Sequence, residues 1–154
     1  EKGLEAVCAG IGGLRTSLMD AGESYHEAQI AWRASARDPR RYGRSAFWDD
    51  LGIDRLLLQL PLDELSPHDF PPEVQSVMTL PTGSDLVATL EAFLDTGGHV
   101  VETARALHIH RSTLYYRLDR IRALTGSDLF DGAIRNDLHA GMRVARLAGL
   151  MKSR

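Results

Sequence analysis

The residues best equipped to do chemistry fall in one run, HVVETARALHIHRSTLYYRLDRI, from His99 to Ile121. Its spacing is that of a helix-turn-helix. The small Ala104 lets two helices approach closely, and Leu107, Ile109 and Leu114 supply the apolar contacts that lock the pair. A turn at residues 108–110 separates a helix of about Val100 to Leu107 from one of about 110–124, stopped by Gly126. On the later helix Leu114, Leu118 and Ile121 recur at spacings of four and three, so they face inward. Ser112, Thr113, Tyr116, Asp119 and Arg120 are left outward, with Tyr115 and Arg117 flanking. Such a helix suits the DNA major groove. Arginine pairs bidentately with guanine, hydroxyls bond base edges, and a second arginine neutralises phosphate. The helix N-terminus adds a dipole favourable to phosphate. The competing reading is an αα-hairpin whose polar face is merely solvated.

Other chemistry is weaker. His99, His108 and His110 invite a metal, but a His-x-His turn beside arginines fits structure or phosphate contact better. Gly10-Ile11-Gly12 begins like a dinucleotide loop, yet Arg15 stands in the third glycine's place and no βαβ context is read after it. It reads as a strand-ending turn. No Gly-x-Ser-x-Gly elbow occurs, since His26 follows Ser24 at the place of its second glycine. Asp49 and Asp50 read as helix N-terminal charge rather than a cation site. Trp32 and Trp48 read as core, as does the single cysteine, Cys8, which excludes an internal disulfide framework and multi-cysteine metal sites.

The elements that must position the run divide at a seam. Residues 61–83 carry Pro61, Pro67, Pro71, Pro72 and Pro81 and read as a linker, with one short helix from Pro72 to Met78. Charge changes sign there. Up to Gly83 there are 13 acidic and 8 basic residues, a balance of −5; beyond it 8 acidic and 10 basic, +2. His99 to Ala123 alone carries +3. The asymmetry suits a polyanion-binding half joined to a non-binding half. However, 16 of the 18 basic residues are arginine, as a GC-rich genome alone would produce.

Before the seam the pattern is α+β. LEAVCAGIGG reads as a buried strand. A helix follows, with Ser24 and Glu27 as capping box, Tyr25, Ala28, Trp32 and Ala36 as its apolar face, and Asp38-Pro39 as its stop. SAFW at 45–48 reads as a second strand, and Ile53, Leu56, Leu57 and Leu60 as a short helix ended by Pro61. Two strands make a poor sheet, so this part reads as incomplete. After the seam all is helical. Ser84 caps a helix carrying Leu86, Leu90, Phe93 and Leu94 up to Gly97-Gly98, and a last helix over about Gly132–Leu150 faces inward with Ile134, Leu138, Met142 and Ala145. Its Val144, Leu147 and Leu150 are left over as a candidate dimer face. The whole, 154 residues at 44% apolar and 25% charged, is a globular composition with no apolar run near the roughly 18 residues of a membrane span. It opens on Glu1, with Glu5 interrupting the first apolar stretch, so no signal peptide is read and the chain reads as a piece of something longer.

The text LVATLEAFLDTGGHVVETARALHIHRSTLYYRLDRIRALTG, within residues 84–149, resembles the C-terminal helix-turn-helix domain of the PucR/CdaR family of bacterial transcription regulators. The L-x-x-T-L-x-x-F-L run, the paired glycines, A-x-x-L-x-I-H-R-x-T-L-x-Y-R-L-x-R-I and the closing L-T-G carry the resemblance. It implies a Fis-like all-α domain at 84–154, binding double-stranded DNA with no cofactor or metal. His110, Arg111 and Thr113 would lie nearest the DNA, Tyr115, Tyr116 and Arg117 next, with Ser112 a polar contact and Arg120 on phosphate. His99 and Ser112 stand where the family often has Asn, and His108 where many such turns have Gly. Residues 1–60 are similar to the end of the degenerate GGDEF-like domain of the same family, on AGIGGLRTSLMDAGESYHEAQIAWR and FWDDLGIDRLLLQLP. The signature of true diguanylate cyclases is absent there, which implies a regulatory or assembly role. The resemblance further implies a cytoplasmic protein at the bacterial nucleoid, a homodimer on DNA, and an effector bound outside these residues. Two other classes stay open. A nucleotide-binding relic of a cyclase-like enzyme would bind guanine nucleotides with a divalent cation. A pure protein-interaction module would leave DNA unbound at low salt.

Overall fold

The computed structural model describes residues 7–80 and 85–151, arranged as two compact units. The first takes the chain up to Leu65 together with the residues from Val144 on; the second takes Ser66–Arg143.

In the first unit β1 (Ala9–Ile11) and β2 (Ser45–Phe47) pair in parallel, Gly10 opposite Ala46 and Ile11 opposite Phe47. Between them run α1 (Ala21–Arg37) and the single turn α2 (Pro39–Tyr42). This is a βαβ unit, a context the sequence reading denied to the glycines. It explains them, but without a phosphate. A Cβ on Gly10 would sit 2.0 Å from the Ala28 carbonyl oxygen and one on Gly12 1.9 Å from that of Ser24, so both glycines let the strand lie on the backbone of α1.

That close approach also corrects the face of α1. The helix buries Ile30, Ala31, Ala34 and Ser35, while Tyr25 and Trp32 are 67% and 51% exposed. Small residues stand where backbone meets backbone, and rings do not fit there. Ser24 and Glu27 are not its capping box. The Ser24 hydroxyl donates to the Gly13 carbonyl, and Glu27 accepts from the Gly13 N–H at 2.9 Å and from Arg15 at 2.7 Å, so the pair ties down the glycine loop. Burial pushes the Glu27 carboxyl up, but the Gly13 N–H and Arg15 outweigh it and hold it below the usual carboxylate range. Asp38 ends α1 and caps α2.

The one-turn α3 (Asp54–Leu57) is likewise rotated from expectation. Ile53, Leu56 and Leu60 are exposed, and Leu51, Asp54 and Leu58 are buried. The buried Asp54 carboxylate accepts the Tyr42 hydroxyl at 2.5 Å, and that bond fixes which side of the turn faces in. Trp48 is half-buried beneath the Arg55 guanidinium, 4.7 Å from its ring, and Cys8 is half-buried rather than core. β1, which follows Cys8, is itself largely exposed. The core comprises Ile30, Ala31, Ala34, Ala46, Leu51, Leu58, Leu62 and Leu147, with Val144 packed against it. The proposed dimer face is therefore corrected: Leu147 is 1% exposed, and Val144 and Leu150 are half-buried.

The proline-rich stretch is folded. Leu62 belongs to the first core. Ser66 and Asp69 cap a 3-10 turn, α4 runs Pro72–Met78, and Phe70, Val74, Val77 and Leu80 are buried. Residues 81–84, with the expected Ser84 cap, lie outside the described residues. Then come α5 (Asp85–Asp95), α6 (Val100–Ala106), α7 (Arg111–Thr125) and α8 (Gly132–Leu147). Their apolar faces follow the 3.6-residue period. Leu86, Leu90, Phe93, Leu94, Leu114, Leu118, Ile121, Leu138 and Met142 are buried. Phe93 meets Phe130 edge to face at 5.8 Å. Gly141 on α8 gives Val74 of α4 the room a Cβ would fill.

Candidate nucleic-acid interface

Two helix ends build the interface. At the C-terminus of α6, Ile109 N–H donates to the Ala104 carbonyl and His108 N–H to that of Arg105, with His108 left-handed at φ 54°. This pattern satisfies carbonyls that a helix end otherwise strands, and it normally uses glycine. It turns the chain sharply into α7. At the other end of α6, Thr103 ties the helix to the end of α5, its hydroxyl donating to the His99 carbonyl and lying 2.6 Å from Thr96 Oγ1.

At the N-terminus of α7, His110 is the cap. Its backbone is extended, and its Nδ1 faces the Ser112 N–H at 3.3 Å and the Ser112 hydroxyl at 2.8 Å. Leu114, Leu118 and Ile121 are at most 2% exposed and anchor the helix. Arg111, Ser112, Tyr115, Tyr116, Asp119 and Arg120 are all exposed, and Thr113 is half-buried. The structure thus brings His110, Arg111, Ser112, Tyr115, Tyr116 and Arg120 to the outer surface of one helix.

Arg117 differs. Its guanidinium donates to Asp85 at 2.8 Å and to the Thr89 hydroxyl at 3.2 Å, so it binds α7 to α5. Thr89 is fully buried and donates back to the Asp85 carbonyl at 2.5 Å. Asp85 and Thr89 lie 32 and 28 residues away along the chain, and helical spacing carries no signal of such a pairing. Two exposed cations went unassigned from sequence, Arg105 on α6 and Arg122 on α7. The local charge of His99–Ala123 already contained both. Among the described residues no group of three or more metal-ligating side chains comes together.

Comparison with known proteins settles what this corner belongs to. The family described as the PucR C-terminal helix-turn-helix domain matches residues 86–144, which contain α6, α7 and their turn whole. Residues 86–144 thus carry a PucR-type C-terminal helix-turn-helix domain. Similar proteins extend further along the chain. The purine catabolism regulatory protein of Bacillus subtilis is 28% identical over 142 residues, 92% of this chain and 26% of its own length. The transcriptional activator PmfR of Paenarthrobacter nicotinovorans is 35% identical over 133 residues, 82% of this chain and 26% of its own. The carbohydrate diacid regulator of Escherichia coli is 36% identical over 86 residues, 56% of this chain and 22% of its own. The chain therefore spans about a quarter of the length of these curated relatives. Within the PucR/CdaR domain, α7 is the second helix of the helix-turn-helix, the position that reads DNA in proteins of this motif.

Proposed function

We propose that the chain binds double-stranded DNA sequence-specifically by laying α7 in the major groove, as part of a transcription regulator. The observation that carries this is the division of α7: one side is core, and the other presents Arg111, Ser112, Tyr115, Tyr116 and Arg120 to solvent from the second helix of a PucR-type domain. Arg111, in the first turn, reads a base edge with Thr113 beside it. The tyrosines flank it, and Arg120 neutralises phosphate. Arg117 holds the helix against α5. The chain is not an enzyme in this reading, and it binds no cofactor or metal. It works in the cytoplasm, where the bacterial nucleoid is.

A single helix-turn-helix offers a small interface, so the reading includes a homodimer on two half-sites about 34 Å apart. The contacts that make it do not come from Leu147, which is occupied in the core. The first unit is the end of a GGDEF-like domain with a regulatory or assembly role. Its exposed Leu14, Leu18 and Met19, each more than 90% accessible, favour assembly over nucleotide chemistry.

The test is selection from a random duplex pool, then affinity for the winning sequence. Loss of selection at low salt overturns the reading. So do Arg111→Ala and Thr113→Ala if, in a folded chain, they leave both affinity and sequence preference intact. Leu114→Ala is the folding control. Its side chain is fully buried, so truncation costs roughly 2–5 kcal/mol and abolishes binding by unfolding. Guanine-nucleotide turnover by the chain would favour the enzyme alternative.

A further inference from the structure

We infer that a cleft between α7 and the facing ends of α4 and α5 binds a small monocarboxylate with an apolar body, and that filling it opposes DNA binding by occupying Arg120. The second half of the inference rests on the assignment of α7 as the DNA-contacting helix; the first half does not.

The cleft lies wholly within the second unit. Its volume of about 480 Å³ falls in the range of roughly 300–1,000 Å³ typical of small-molecule sites. Its α7 wall follows from spacing. Tyr116, Arg120 and Leu124 recur every four residues and so form one line along the helix, beside the buried line of Leu114, Leu118 and Ile121. Opposite them stand Leu80 and Leu86. Leu124 is exposed at the end of α7, an apolar side chain that neither the core nor the DNA reading employs.

Charge sets the sign of the ligand. The lining holds one carboxylate, Asp85, against two guanidinium groups, an excess of one positive charge. Arg117 is spent on Asp85 and on the Thr89 hydroxyl. Arg120 and the Tyr116 hydroxyl have no hydrogen-bond or ion-pair partner among the described residues. A cation is therefore repelled and a single carboxylate is matched, because a guanidinium offers it two parallel N–H donors. The three leucines and the Tyr116 ring ask for an apolar body on that carboxylate. Inorganic phosphate has nothing to place against them.

A carboxylate paired with Arg120 takes the cation that α7 offers to DNA phosphate, and its body lies beside Tyr116 on the same exposed side. Ligand and DNA thus compete for one guanidinium, and by linkage each lowers the affinity of the other by the same factor.

The experiment uses the full 154-residue chain, 2-naphthoate as probe and 2-naphthamide as its uncharged counterpart of the same shape. In nitrogen-15 spectra of the free chain, naphthoate is expected to shift the amide signals of Leu80, Leu86, Tyr116 and Leu124 saturably. Naphthamide and the Arg120→Ala variant are each expected to weaken that binding about tenfold. Affinity is then measured for the tightest duplex selected from a random pool, with chloride replacing naphthoate in the reference. Saturating naphthoate is expected to weaken the duplex at least about fivefold and to lower the salt slope by about one. In Arg120→Ala the probe is expected to have no further effect on DNA. Three results overturn the inference: no saturation by about 10 mM naphthoate, naphthamide binding as tightly as naphthoate, or bound naphthoate leaving duplex affinity unchanged. If the chain selects no duplex, the DNA reading fails and the naphthoate titration still decides the site. If it selects one and naphthoate does not bind, this inference fails alone.

Discussion

Arg111 and Arg120 stand nine residues apart on α7, about 13 Å along its axis, which exceeds the width of the major groove. They cannot both read bases at its centre. In the proposed reading Arg111, in the first turn, takes the base edge. Its replacement by Ala is expected to cost about 1–3 kcal/mol and to relax preference at a single position. Arg120→Ala is expected to weaken binding to all sequences alike and to lower the salt slope by about one. Affinity measured against salt on matched and mismatched duplexes separates the two. Arg117 lies between them in sequence but is paired with Asp85, so three of the four arginines of this helix have three different expected fates. Residue type and spacing placed all three near the surface; only the fold shows which one is already committed. At His108 the sequence and structure agree. It stands where such turns often have Gly, and its φ of 54° is the left-handed value that glycine adopts without strain. His108→Gly is expected to raise stability by roughly 0.5–1 kcal/mol, the relief of strain exceeding glycine's entropy cost. The check is a shift of the urea midpoint at constant m-value.

The helices were legible to the degree that side chains decide them. In α5 and α7 a continuous apolar stripe packs on other helices, and the 3.6-residue period picks the buried residues correctly. In α1 and α3 it does not, because the deciding contacts are not side-chain stripes. The strand meets α1 through glycines, and α3 is one turn oriented by a buried carboxylate. The Ser24 and Glu27 pair shows the same lesson. Its spacing is that of a capping box, but a glycine loop nearby competes for both groups and takes them. That loop makes a pH prediction. Gly13 and Arg15 hold Glu27 below its ordinary range against the opposing effect of burial, so the folded state releases this proton more readily than the unfolded one. Its contribution is fully present above the ordinary carboxylate range, about pH 4.3, and is lost as pH falls through the lower folded value. Melting temperatures of the parent and Glu27→Gln are expected to differ at neutral pH and to converge on acidification. A constant gap down to strongly acidic pH would show that the carboxylate's charge contributes nothing.

At the scale of the molecule, the change of charge sign at the seam coincides with the start of the helix-turn-helix half, because net charge sums over residues regardless of their exact placement. The boundary between units was harder to see. Prolines at 61–83 prevent a long helix but do not prevent packing, and Leu62, Val74 and Val77 show no greater exposure than other core residues. Nor could local pattern show that the chain returns to its first unit at Val144, more than a hundred residues after β1. Three apolar residues late in α8 and after it have the look of an oligomer face when the only known neighbours are in the same helix. Leu147→Ala decides between the two roles. As a core residue 1% exposed, it should cost roughly 2–5 kcal/mol on truncation, read as a lower and concentration-independent melting temperature. The oligomeric mass by light scattering should not change under conditions where the variant is folded. A dimer contact would give the opposite pair of results: a melting temperature that varies with protein concentration in the parent, and a loss of mass in the variant. The first pair leaves the dimer of the proposed regulator to contacts elsewhere; the second would remove Leu147 from the core of the first unit.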